Sequence, residues 1–188
     1  MIRSCPLPNA SAQRGASLLE VLITILILSF GLLGIAGMTA VSLQTAKLAQ
    51  FQSVGLQLAN EYADRMRGNT PGVAANQYDM TAAYTGATAS LPVPECAVAT
   101  ACTAAELASI DRAEWTNSLR RRLPAGNAYV LRNGLAVDIW IMWQEPLMRL
   151  GEGNDLSVAG TGGNSCPAAA LEDFEGDQPV CTYYRVSI

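Results

Sequence analysis

The stretch "RGASLLEVLITILILSFGLLGIAG", residues 14 to 37, decides how the chain is read. An arginine and a glycine precede a long apolar run, and one acid, Glu20, stands just inside it. After Glu20 the next charged side chain is Lys47, so residues 21–46 carry no charge. A helix needs about 20 apolar residues to span a bilayer, and the run exceeds that. A helix in a soluble domain rarely stays uncharged for so long, because one of its faces usually meets water. The run therefore predicts a membrane helix, and a carboxylate at its edge calls for a partner.

The order of features ahead of the run is informative. A secretory signal carries its small-residue cleavage site after the apolar region, whereas here "QRGAS", 13–17, comes before it. A cut there removes a hydrophilic leader and keeps the helix. Arg3 and Arg14, with no acid among the first 19 residues, hold this end on the cytoplasmic side. The polar bulk then lies across the membrane. Cysteine usage agrees, since Cys96, Cys102, Cys166 and Cys181 all fall in that polar part, while Cys5 precedes the run. An even count beyond a membrane segment suits disulfides in an oxidising compartment. Cys96 with Cys102 and Cys166 with Cys181 are the near-neighbour pairs, and sequence leaves the other pairings open. A zinc site is disfavoured, because short CxxC knuckles and histidine are both missing.

Several function classes fall away on composition. Twelve basic and 16 acidic residues give a net charge of −4, without the basic stripe that nucleic-acid binding usually shows. The one dense basic cluster, Arg120, Arg121 and Arg122, stands at the end of a predicted helix, where cations favour the dipole. There is no histidine, and GxSxG, P-loop and GxGxxG patterns are lacking. The glycine-rich "GTGGNS", 160–165, reads as a loop. Glu172, Asp173, Glu175 and Asp177 form an acidic cluster, but without the spacing of a calcium-binding EF-hand they read as a solvated loop. No catalytic constellation, cofactor or metal is expected.

Beyond the membrane run, Leu48, Phe51, Gly55, Leu58, Tyr62 and Met66 mark one face of a continuing helix, with Glu61, Asp64, Arg65 and Arg67 mostly off it. "RGNTPG", 67–72, supplies stop signals. A helix over 17–67 would be about 75 Å long at 1.5 Å per residue. Residues 69–102, rich in Ala, Thr, Gly and Pro, read as a loop region. A second helix is predicted over 102–126, with Thr103 and Glu106 as a capping box, Trp115, Leu119 and Leu123 as a core stripe, and Pro124 with Gly126 as its end. "AYVLR", 128–132, and "LAVDIWIMW", 135–143, flank "NG" at 133–134, a hairpin signal. Alternation in the second strand predicts one core face carrying Leu135, Val137, Ile139 and Ile141. "VCTYYRVSI", 180–188, reads as the last strand. The fold class is α+β: a long N-terminal helix, half in the membrane and half packed on a head, an antiparallel sheet and a short second helix.

"QRGASLLEVLITILILS" resembles the type III signal of type IV pilins and type II secretion pseudopilins. The resemblance implies cleavage by a prepilin peptidase between Gly15 and Ala16, methylation of the new amino group of Ala16, and a subunit-assembly role for Glu20. An acid four residues after a freed N-terminus would neutralise the N-terminus of a neighbouring subunit in a helical bundle. The chain begins its mature part with alanine where many relatives have phenylalanine or methionine. Gly31, Gly34 and Gly37 would allow close helix approach or, as in related pilins, local melting of the helix in a fibre. "GLLGIAGM", "ANEYADRMRGN" (59–69), the stretch 96–130 and "VDIWIMWQE" (137–145) are similar to the type IV pilus modification group, PilV, of minor pilins. The implied division is a leader, 1–15, a transmembrane and assembly helix, 16–46, and a periplasmic head, 47–188. The implied partners are other pilins, the prepilin peptidase, the pilus assembly platform and the bacterial inner membrane, with the pilus fibre as destination. A secretion pseudopilin would share the leader. A membrane-anchored binding domain with an uncleaved anchor is the rival from a different class.

Overall fold

The structure, a computed structural model, describes residues 17–98, 101–144, 166–172, 174, 176 and 178–188. The chain divides into two compact units, one ending at Thr45 and one running Ala46–Ile188. Helix α1, Leu18–Gly68, is a single element of 51 residues. Its first part exposes apolar side chains all around, among them Leu22, Ile27, Leu32 and Leu43. Within the second unit its face changes character: Gly55, Leu58, Ala59, Tyr62, Ala63 and Met66 are buried, at the helical spacing expected from sequence.

The residues after α1 hold more structure than their composition suggests. Asn69 follows α1 and caps a short helix α2, Thr70–Ala74, its side chain accepting a hydrogen bond from the Gly72 amide at 3.3 Å. Pro71 stands near the start of α2, where its missing N–H costs nothing. The expectation of loop throughout 69–102 thus misses one helical turn, because "NTPG" both stops one helix and starts another. Further on, backbone groups find partners outside any regular ladder. Met80 and Val130 exchange two hydrogen bonds at 2.9 Å. The Asn117 side chain donates to Leu91 O at 2.9 Å and accepts from Leu91 N at 2.7 Å.

Helix α3, Ala104–Arg122, starts on the expected capping box of Thr103 and Glu106. Trp115, Leu119 and Leu123 are all buried, so the stripe is core. Strands β1 (Asn127–Asn133), β2 (Ala136–Trp143) and β3 (Val180–Ser187) form an antiparallel sheet in the order β1-β2-β3. The hairpin turn differs from expectation by one position. Asn133 pairs with Ala136, so the two turn residues are Gly134 and Leu135, and Gly134 supplies the positive φ of 66°. Leu135 is consequently at the tip, 85% exposed, and not in the core.

The expected single core face of β2 is also corrected. Val137, Ile139, Ile141 and Trp143 do meet Leu58, Tyr62, Trp115 and Leu119 in the main core. On the opposite face Met142 is fully buried, in a second cluster with Tyr84, Ala125, Tyr129 and Ala170. The disulfide Cys166–Cys181 fixes the chain before Ala170 to β3, beside Met142, with which Cys181 is in register. A strand covered on both faces reads as a nearly continuous apolar run, and "IWIMW" is such a run.

Candidate functional site

The start of α1 is built by Ser17. Its carbonyl accepts from Glu20 N at 2.9 Å and Val21 N at 3.2 Å, and its hydroxyl lies 3.4 Å from Leu19 N. Glu20 therefore stands in the first helical turn, where the free N–H groups and the dipole favour an anion. Its surface is open. The Ser-x-x-Glu spacing of 17 and 20 is a capping-box pattern, a signal that a reading centred on the apolar run passes over. Gly15 and Ala16, the expected cleavage and methylation positions, and the leader 1–15 lie outside the described residues.

Along the apolar part of α1 the hydroxyl groups are turned inward on the helix. Thr24 donates to Val21 O at 2.9 Å, Ser29 to Ile25 O at 2.7 Å and Thr39 to Ala36 O at 2.8 Å. These three hydroxyl hydrogens are satisfied within the segment, the condition for residing in hydrocarbon. The helix continues unbroken through Gly31, Gly34 and Gly37, and a Cβ at any of them would meet nothing within 4 Å. Among the described residues nothing crowds these three positions, so close packing on them would have to come from elsewhere. Among the described residues α1 is long and apolar enough to cross a membrane.

The head is organised differently, around charges that already have partners. Arg65 bridges Glu61 at 3.2 Å, Asp111 at 3.1 Å and Glu114 at 2.8 Å, joining α1 to α3. The Tyr78 hydroxyl donates to Asp111 Oδ2 at 2.5 Å and accepts from Asn69 Nδ2 at 3.1 Å. Tyr62 donates to Tyr78 O at 2.7 Å. Burial, reinforced by the bond to Asp111, pushes the Tyr78 phenol up to about 12. Burial likewise raises Tyr62, and it lifts Tyr84 to about 12. These hydroxyls stay protonated at neutral pH and serve as structural donors. Trp115 donates its indole N–H to Leu58 O at 2.9 Å.

The basic cluster at the end of α3 does more than meet a dipole. Arg122 donates to Gln57 at 2.6 Å, Arg121 to Ser118 at 3.0 Å, and Arg120 holds Ala89 O. Backbone and side-chain bonds from Thr103 and Ala97 depress the Glu106 carboxyl below the usual range, which keeps the cap charged. The cysteines pair as Cys96–Cys102 and Cys166–Cys181, which settles the pairing that sequence left open. Of the acidic cluster only Glu172 is described. Asp173, Glu175 and Asp177 lie outside the described residues, as does the glycine-rich 160–165. Among the described residues no three His, Cys, Asp or Glu side chains converge as a metal cage.

Among the described residues, the exposed apolar half of α1 and its leading carboxylate are thus a feature that no internal contact explains. No protein-family model, curated protein or solved structure matches this chain.

Proposed function

We propose that the chain is a minor pilin: a structural subunit, not an enzyme, processed by prepilin peptidase and taken into a type IV pilus through its N-terminal helix. The observation that carries this reading is the pairing of Glu20, in the first turn of α1, with an apolar surface that stays exposed from Leu18 to Leu43. The head completes its own core without that surface, so the surface is left for lipid or for like helices. Before assembly the helix resides in the bacterial inner membrane with the head in the periplasm, where Cys96–Cys102 and Cys166–Cys181 can form. Cleavage after Gly15 would free the Ala16 amino group. The Glu20 carboxylate would then pair with the N-terminal ammonium of a neighbouring subunit, since a charge costly alone in lipid becomes tolerable when paired. Membership of the PilV group of minor pilins is the finer form of the same reading.

The test is intact mass and N-terminal peptide mapping of the protein from its membrane, with and without prepilin peptidase. A chain beginning at Ala16, unmethylated or methylated, is expected when the peptidase is present. A chain still beginning at Met1 in peptidase-competent cells overturns the reading and leaves a plain membrane-anchored domain.

A further inference from the structure

Lys47 is the only lysine in the chain, every other basic residue being arginine, and the only charged residue between Glu20 and Glu61. Among the described residues, Arg65, Arg67 and Arg185 have carboxylate partners, Arg112, Arg120, Arg121, Arg122 and Arg132 donate to carbonyl, amide or hydroxyl oxygens of the head, and Lys47 has neither kind of partner. It is exposed on α1. At i±3 and i±4 it faces Leu43, Gln44, Gln50 and Phe51, none of them charged. Among the described residues nothing complements this ammonium.

We propose that Lys47 binds the phosphate of a membrane phospholipid at the far face of the bilayer and so fixes the depth of the helix. This rests on the membrane placement of α1 in the reading above. The position follows from length. Residues 18–38 are apolar but for scattered hydroxyls and Glu20 at the entry, and at 1.5 Å per residue they span about 31 Å, matching a hydrocarbon core of about 30 Å. From Thr39 the composition turns mixed, with Ser42, Gln44 and Thr45. Lys47 lies nine residues past Met38, so its Cα stands about 13 Å beyond the hydrocarbon edge. Side chains lean toward a helix's N-terminus, here back toward the membrane. A lysine stem reaches roughly 6 Å, which brings the ammonium into the headgroup layer, about 5–8 Å deep on each side. Lysine suits the task better than arginine, its compact ammonium on a flexible stem offering three rotatable donors to a phosphate.

Because the lysine is unique, the test needs no substitution. The full chain, labelled with nitrogen-15 at the lysine Nζ, is reconstituted into phosphatidylethanolamine–phosphatidylglycerol vesicles in phosphate-free buffer, so that lipid is the sole source of phosphorus. Flotation of the vesicles with the protein establishes insertion. Recoupling to phosphorus-31 should then extinguish most of the single Nζ signal. Full Nζ signal in protein that floats with the vesicles overturns the proposal while leaving the membrane reading intact. Loss of the signal instead on recoupling to carbon-13 in Asp and Glu carboxylates also overturns it, and makes a protein acid the partner. Failure to float overturns both.

Discussion

The two parts of α1 share one backbone and answer to different surroundings. Through the first unit the helix has apolar side chains on every side, hydroxyls bonded back to its own carbonyls, and no charge after Glu20. Around Arg65 it is amphipathic, with a buried stripe against α3 and the sheet and charged groups engaged with Asp111 and Glu114. The same regular geometry holds both. What differs is where the free energy of ordering comes from: side-chain packing inside one chain in the head, and a medium or another molecule in the apolar part. Stability of the head and insertion of the helix should therefore respond to different substitutions.

The largest separation is expected at Trp115, fully buried and stacked on Tyr62 with ring centroids 3.9 Å apart. Trp115→Ala should cost the head about 4 kcal/mol, read as a lowered urea midpoint, with vesicle insertion unchanged. An equal loss of insertion would show that the two parts are not independent. The converse substitution is Leu32→Arg, which puts a charge in the apolar run at a cost of about 3 kcal/mol to insertion. Flotation should fall while the melting of the head stays put.

Asp111→Ala sharpens the account of the head. It leaves the Tyr78 hydroxyl without its acceptor and Arg65 with two acids in place of three. A loss of about 2 kcal/mol is expected, and a change below the error of the denaturation curve would reduce the network to surface decoration. Alkali probes the same place. Folding raises the Tyr78 and Tyr84 phenols from 10 to about 12, so the stability they contribute is complete below pH 10 and is lost as pH rises toward 12. The urea midpoint should hold from pH 8 to 9.5 and drop by pH 11, together with tyrosinate absorbance. Residues 17–45 contain no tyrosine, so insertion should not follow that titration.

The smallest effect is at Gly34. With open space around it, Gly34→Ala should favour the isolated helix by about 0.8 kcal/mol, seen as slower amide exchange in micelles, with the head unaltered. If incorporation into the proposed pilus falls nonetheless, the glycine is reserved for a neighbouring helix.

Much of the architecture was legible because it is local. The capping box of Thr103 and Glu106, the stripe of Trp115, Leu119 and Leu123, the stop at "RGNTPG" and the three strands follow from spacing and turn chemistry. The helix α2 escaped because a five-residue element has no periodicity to read. The turn at Gly134–Leu135 slipped by one residue because "NG" fixes a glycine with positive φ without stating which side of it the chain turns. Of the candidate site, Glu20, the apolar run and the Ser17-x-x-Glu20 spacing stand in the sequence, whereas the lack of a partner for Lys47 among the described residues shows only in the hydrogen bonds and ion pairs.

That residues 21–46 form a long uncharged helix headed by one acid follows from composition alone, since uninterrupted apolar character has few other outcomes. The sequence also set the strands and the second helix. The burial of Met142 on the second face of the sheet, the meeting of Arg65 with Asp111 across 46 positions of chain and the near-neighbour pairing of the cysteines were settled by folding. Periodicity reports what a segment prefers, whereas these contacts depend on which distant segments are brought alongside, and that is settled by packing the whole head at once.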